Sequence, residues 1–239
     1  MFMNLVSWPT LIFLCFMVGL AGFVDASAGG GGLISLPAYM VTGLPVHLLY
    51  GANKFSSACG TTFASAMFFR SGALDLQVAL IAAAASFAGS TLGSRLVLLL
   101  SGEVLKIMVL VMLPIAAIII FTQRKLPEED RSSQVPRKKA LVLAAVIGLL
   151  IGLYDGLVGP GTGTFAIIAF TSVLKFDLRT ASGNAKVLNL ASNYASLITY
   201  IGAGNVPFAL AIPCAVCNIL GAILGSHFAL SKGGKFIRP

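Results

Sequence analysis

Apolar residues run through this chain in long stretches. Residues 76–100, 104–121, 140–154 and 206–230 are nearly unbroken hydrophobic sequence, with shorter apolar runs between them. Their lengths fall around the roughly 20 residues that carry a helix across a bilayer. A further helix is expected over residues 9–24, running into Asp25-Ala-Ser-Ala-Gly-Gly-Gly-Gly32, after which an apolar stretch resumes over residues 33–43. Each glycine costs a helix about 1 kcal/mol relative to alanine, so four in a row end it. The pattern predicts an all-α polytopic membrane protein whose first element is broken by glycine and re-entrant.

The same pattern occurs twice. At an offset of 132, Gly51, Lys54, Gly72, Gly89, Gly93 and Ser94 recur as Gly183, Lys186, Gly204, Gly221, Gly225 and Ser226. Upstream, at an offset of 130, Asp25, Gly29 and Gly31 match Asp155, Gly159 and Gly161. The second break therefore reads Asp155-Gly-Leu-Val-Gly-Pro-Gly-Thr-Gly163, where Pro160 removes a backbone donor and Gly159, Gly161 and Gly163 permit turns. Residues 1–122 form a first transmembrane repeat, 123–139 a basic linker, and 140–239 a second repeat. Gly89-x-x-x-Gly93 and Gly221-x-x-x-Gly225 have the spacing that lets membrane helices approach closely, a packing device.

Composition agrees: 57% of the 239 residues are hydrophobic and 10% charged, against about 25% charged in a soluble domain. The formal net charge of +8 does not point to nucleic acid, because Arg124, Lys125, Arg131, Arg137, Lys138 and Lys139 all fall in or beside the linker. A basic, solvated, membrane-facing loop explains them, and their density places the linker in the cytoplasm. Residues 1–8 hold no Lys or Arg, so a removable signal peptide is not expected. Cys15, Cys59, Cys214 and Cys217 lie in apolar runs and read as packing residues, the last two despite their C-x-x-C spacing. No cofactor and no metal is expected, and no hydrolase elbow, zinc motif or phosphate loop suggests an enzyme.

Of the eight acids only Asp25 and Asp155 sit at the internal breaks, and only Lys54 and Lys186 begin apolar helices beside amide side chains. An ionisable group in a membrane segment costs a few kcal/mol, so it needs a partner or a function. Two readings stand. Asp25 with Lys54 and Asp155 with Lys186 are structural ion pairs, or the groups build an anion site. In that site Lys54 and Lys186 supply charge. Asn53, Asn184 and Asn189 supply amides, and the N–H groups of Gly29, Gly30, Gly31, Gly159, Gly161 and Gly163 line the half-helix N-termini. Asp25 and Asp155 are then candidate proton carriers, since desolvation favours a neutral carboxyl while a neighbouring lysine opposes it. Arg95 and His227 read as side chains snorkelling to headgroups, and His47 as a loop-end residue.

Together, Asp25-Ala-Ser-Ala-Gly-Gly-Gly-Gly-Leu, Gly51-Ala-Asn-Lys54, Tyr154-Asp-Gly-Leu-Val-Gly-Pro-Gly-Thr-Gly163 and Ala185-Lys-Val-Leu-Asn189 resemble the sulfite exporter TauE/SafE family, nearly end to end. The resemblance implies a multi-pass protein of the bacterial inner membrane that exports small anions such as sulfite or organosulfur and other organic anions. It also implies two homologous four-helix units, which sets the two units parallel. In the family, a segment like Gly-Lys-Phe-Ile-Arg-Pro at 234–239 leads into a last span, so the second unit is expected to lack its final helix, leaving about seven spans. The expected partners are a small anion substrate, the lipid bilayer and a second copy of the chain. An anion channel and a non-transporting membrane scaffold or inactive carrier are the alternatives.

Overall fold

The computed structural model describes residues 6–122 and 129–232. Arg124 and Lys125 of the linker, and the 234–239 segment, lie outside the described residues. Those described form nine α-helices and one short 3₁₀ turn (Ser132–Gln134), with no strand among them. The helices are α1 (Trp8–Ala28), α2 (Gly32–Met40), α3 (Val46–Arg70), α4 (Leu76–Leu99), α5 (Gly102–Thr122), α6 (Arg137–Leu157), α7 (Thr162–Ser172), α8 (Leu178–Gly202) and α9 (Phe208–Lys232).

Local chemistry sets the ends. Ser7 caps α1, Asp75 caps α4 through the Val78 N–H, and Asp177 caps α8 through the N–H groups of Arg179 and Thr180. α1 stops at Gly29, whose φ of 87° is the left-handed conformation that lets its N–H reach back to the Asp25 carbonyl. Among the described residues five helices are long and apolar enough to cross a membrane: α1, α4, α5, α6 and α9. α3 and α8 are 25 residues each, about 37 Å at 1.5 Å per residue, but they carry the lysines and amides. Their polar faces turn inward, while Phe63 and Phe69 on α3 and Tyr194, Ile198 and Ile201 on α8 lie on exposed outer faces.

Two hydrophobic clusters define the course of the chain. One joins the start of α1 (Leu11, Leu14) to the end of α2 (Tyr39, Met40), the start of α3 (Val46), the end of α8 (Tyr200) and the start of α9 (Leu210). The other joins the start of α6 (Ala140, Ala144) to the end of α7 (Phe170, Leu174), the start of α8 (Leu178), the end of α3 (Phe68) and the start of α4 (Val78). Each broken element is thus a hairpin that enters and leaves by one end of the bundle. α1–α2 uses the end where α3 begins, and α6–α7 the linker end.

This overturns the expectation of parallel units. A hairpin plus three crossing helices (α3, α4, α5) returns the chain to the opposite end, so the second unit starts inverted. α3 and α8 accordingly pack antiparallel, with Tyr50 against Tyr200, Lys54 against Asn193, and the Ser65 hydroxyl on the Lys186 carbonyl. The units also interlock: α1 lies along α9, α6 along α4, α9 against α3, and α8 against α4. Both small-residue stripes serve these contacts. Gly89 and Gly93 meet the backbone of Leu149 and Leu153 on α6, and Gly221 and Gly225 meet Gly19 and Phe23 on α1. Cys15 lies beside Cys214 and Cys217 at the α1–α9 contact, all as free thiols.

The described part of the linker is tied down. The Arg131 N–H donates to the Lys175 carbonyl, Lys175 Nζ to Gln134, and the Arg137 guanidinium to both Asp75 carboxylate oxygens and to Gln77. The hydrogen bonds from Arg137 hold the Asp75 carboxyl below the usual carboxylate range.

Candidate functional site

The two hairpins enter from opposite ends and meet tip to tip in the interior. The Thr164 N–H donates to the Gly29 carbonyl at 3.1 Å and the Thr164 hydroxyl to the Ala28 carbonyl at 2.9 Å. A methyl group on Gly29 would sit 2.5 Å from the Gly163 carbonyl carbon, and one on Gly163 2.6 Å from the Gly29 carbonyl oxygen, so neither position admits a side chain. Beside these tips lies a cavity of about 30 Å³, roughly two water-sized spheres. α2 and α7 both begin at its wall, with Gly31, Gly32, Gly161, Thr162 and Gly163 lining it. Two helix N-termini, with their positive dipole ends, therefore face one small space.

The charged groups pair across the units. Lys54 Nζ lies 2.6 Å from Asp155 Oδ2, with side-chain exposures of 2% and 3%. Lys186 Nζ donates to the main-chain carbonyl of Asp25 and lies 3.5 Å from Asp25 Oδ2. The expected pairs, Asp25 with Lys54 and Asp155 with Lys186, are thereby corrected. Because the units are inverted, α3 and α8 each present their lysine to the hairpin of the other unit.

The two pairs also differ in kind. Asp155 is fully engaged: Thr162 donates to its Oδ1 at 2.8 Å, and Lys54 also donates to Asn193 Oδ1 at 3.2 Å. Asn193 Nδ2 reaches Thr61 Oγ1 at 3.3 Å and Asn189 Oδ1 at 3.4 Å. Asp25 is 22% exposed along its side chain and lines the cavity, while Lys186 does not.

Of the residues expected from sequence, Asn53, Lys54, Asn189, Gly29, Gly31, Gly159, Gly161, Gly163, Asp25 and Asp155 line the cavity. Lys186, Asn184 and Gly30 do not. Asn184 accepts instead from the Asp75 N–H at 2.9 Å, which fastens α8 to the α3–α4 turn. Asn53 Oδ1 is buried with no hydrogen-bond partner. The cavity adds Ser35, Ser57, Thr61, Thr162, Asn193 and Asn218. Three of these were within reach of the repeat, because the offset that pairs Lys54 with Lys186 also pairs Ser57 with Asn189 and Thr61 with Asn193. Among the described residues no group of three His, Cys, Asp or Glu side chains could hold a metal ion.

Comparison with known proteins agrees with this architecture. "Probable membrane transporter protein YfcA" of Escherichia coli strain K12 is 36% identical over 232 residues, covering 97% of this chain and 85% of that protein. A "Probable membrane transporter protein" of Haemophilus influenzae is 36% identical over 231 residues, 96% of this chain and 89% of that protein. "Probable membrane transporter protein ORF9" of a Sinorhizobium species is 33% identical over 229 residues, 96% and 87%. No solved structure matches. The family model "Sulfite exporter TauE/SafE" matches residues 14–239, and on that span this multi-pass membrane chain belongs to the sulfite exporter TauE/SafE family.

Proposed function

We propose that the protein is a secondary transporter that moves a small anion, sulfite or an organosulfur or other organic anion, through the space between its hairpin tips. The observation that carries this is the meeting of two inverted broken hairpins, with both half-helix N-termini, Lys54 and Asn53 lining one cavity. Irregular backbone at membrane depth persists where it lines a wet or protein-buried space, and inverted repeats with broken helices bind substrate at their interface.

Charge arithmetic supports coupling to protons. Lys54, Lys186, Asp25 and Asp155 sum to zero, so an entering anion leaves the site net negative unless a proton accompanies it. Asp25 suits that role, with its exposed edge, its place on the cavity wall and its loose contact to Lys186.

The inverted arrangement also bears on orientation. Arg70, Arg131, Arg137, Lys138, Lys139, Lys175 and Arg179 gather at the linker end, against Arg95 and Lys106 at the other. Such a bias supports a cytoplasmic linker end in a bacterial inner membrane.

The test is thermal unfolding of the purified protein against sulfite, sulfoacetate, sulfate and carboxylates, followed by flux in liposomes. A ligand at 100 times its Kd stabilises by about 2.7 kcal/mol, so one anion should raise the melting temperature selectively. Lys54→Ala and Lys186→Ala should abolish flux. Asn53→Ala, which leaves both ion pairs intact, should keep the unliganded melting temperature and lose the shift. Full flux in the lysine variants, or an undiminished shift in Asn53→Ala, would remove this assignment.

A further inference from the structure

Between the cavity and the end where α3 begins, the structure holds two phenols with no explanation in the site described above. Tyr50 and Tyr200 are 1% and 0% exposed, their ring centroids lie 6.3 Å apart, and neither hydroxyl has a hydrogen-bond partner. Buried hydroxyls are nearly always paired, so two orphans side by side need a reason.

Both belong to the polar stripes that make the central site. Tyr50, Asn53, Lys54, Ser57 and Thr61 succeed one another at helical spacing on one face of α3, and Tyr200, Ser196, Asn193 and Asn189 do so on α8. Tyr200 is within electrostatic range of Asp155. The phenol pair lies on the same helix faces as the cavity lining, nearer one end and within the apolar cluster that holds Leu14, Tyr39 and Val46.

The opposite end is built differently. The repeat offset places Ser182 opposite Tyr50 and Phe68 opposite Tyr200. Ser182 is satisfied by the Leu178 carbonyl at 2.7 Å, and Phe68 sits in an apolar cluster with Phe170 and Leu174. Where one end presents a satisfied hydroxyl and a phenyl, the other presents two buried, unpaired phenols. Packing alone is served equally well by phenylalanine.

We propose that Tyr50 and Tyr200 form a second anion station, occupied as the substrate passes between the central cavity and the end where α3 begins. When the rings part, each hydroxyl donates a hydrogen bond to an oxygen of the same small oxyanion that the central site binds. When they close, the pair is the gate on that side. This rests on the transport reading above and adds a waypoint and a gate to it.

The experiment compares wild type with Tyr50→Phe, Tyr200→Phe and the double variant, which keep the ring volumes and remove only the unpaired hydroxyls. Central binding is read by the anion-induced thermal shift and transport by liposome flux. The expected result is an unchanged shift with flux reduced at least tenfold in the double variant, and an unliganded melting temperature no lower than wild type. Wild-type flux in the double variant overturns the station. So does a loss of shift and flux together, which would make the phenols part of the central site. A wild-type protein that shows neither shift nor flux with any anion removes the transport reading, and the station with it.

Discussion

Replacing each hairpin aspartate should give two unlike results, because the two carboxylates occupy different surroundings. Asp155 neutralises a lysine that is 2% exposed and whose other partner among the described residues is Asn193. Removing one member of a buried pair costs about 3–5 kcal/mol, so Asp155→Ala should lower the yield and melting temperature sharply, measurable by expression level and thermal unfolding. Asp25→Asn leaves Lys186 its main-chain carbonyl partner. That variant should fold, exchange anion, and lose its response to an imposed pH gradient, read as flux with and without the gradient. A response equal to wild type would take the proton role from Asp25. These aspartates and lysines were legible in the sequence as ionisable groups that an apolar chain has no cheap way to keep. Their partners were not, since pairing depends on whether the units run parallel or inverted, and residue spacing is the same in both. Asn184 shows the converse limit: its place beside Lys186 suggested substrate, while a helical turn directs it to the Asp75 N–H.

At the scale of elements, the helix-to-helix contacts rest on glycine. Gly148, Gly152 and Gly156 of α6 lie against the backbone of Ala82, Ser86 and Ser90 on α4, and a methyl group on Gly152 would stand 2.3 Å from the Ser86 carbonyl oxygen. Two backbones this close leave nothing flexible to move aside. Gly152→Ala should therefore cost about 1–3 kcal/mol, the usual range for overpacking. Gly202→Ala, at the end of α8 with nothing within 4 Å, should cost far less. Melting temperatures of the two variants decide it, and equal values would show that the α4–α6 contact is not tight. The broken elements and both small-residue stripes could be read from glycine spacing alone. The return of α2 and α7 toward their starting ends could not. A helix that continues past a break and one that doubles back have the same composition, and only the clusters around Leu14 with Tyr39, and Ala140 with Phe170, separate them.

For the whole molecule the inverted relation is directly testable. Ser71 and Ala203 are equivalent positions in the two repeats, following α3 and α8 respectively. Parallel units would expose both on one side of the membrane, whereas inverted units expose them on opposite sides. With cysteine placed singly at each position, an impermeant maleimide added to intact cells should label Ala203→Cys and spare Ser71→Cys. Labelling of both would restore the parallel arrangement, and the reverse pattern would put the linker outside. The crossed ion pairs have a further consequence, in time rather than in space. Asp155 lies 101 residues after Lys54 in the chain, so at a synthesis rate of about 5–20 residues per second the ribosome needs roughly 5–20 s to supply the partner. Until then the first half holds a lysine it cannot neutralise, and α3 gains its enclosing neighbour α9 later still. The nascent first half must wait, unfinished, for the second, and a cell that makes the halves separately must bring them together before either is stable.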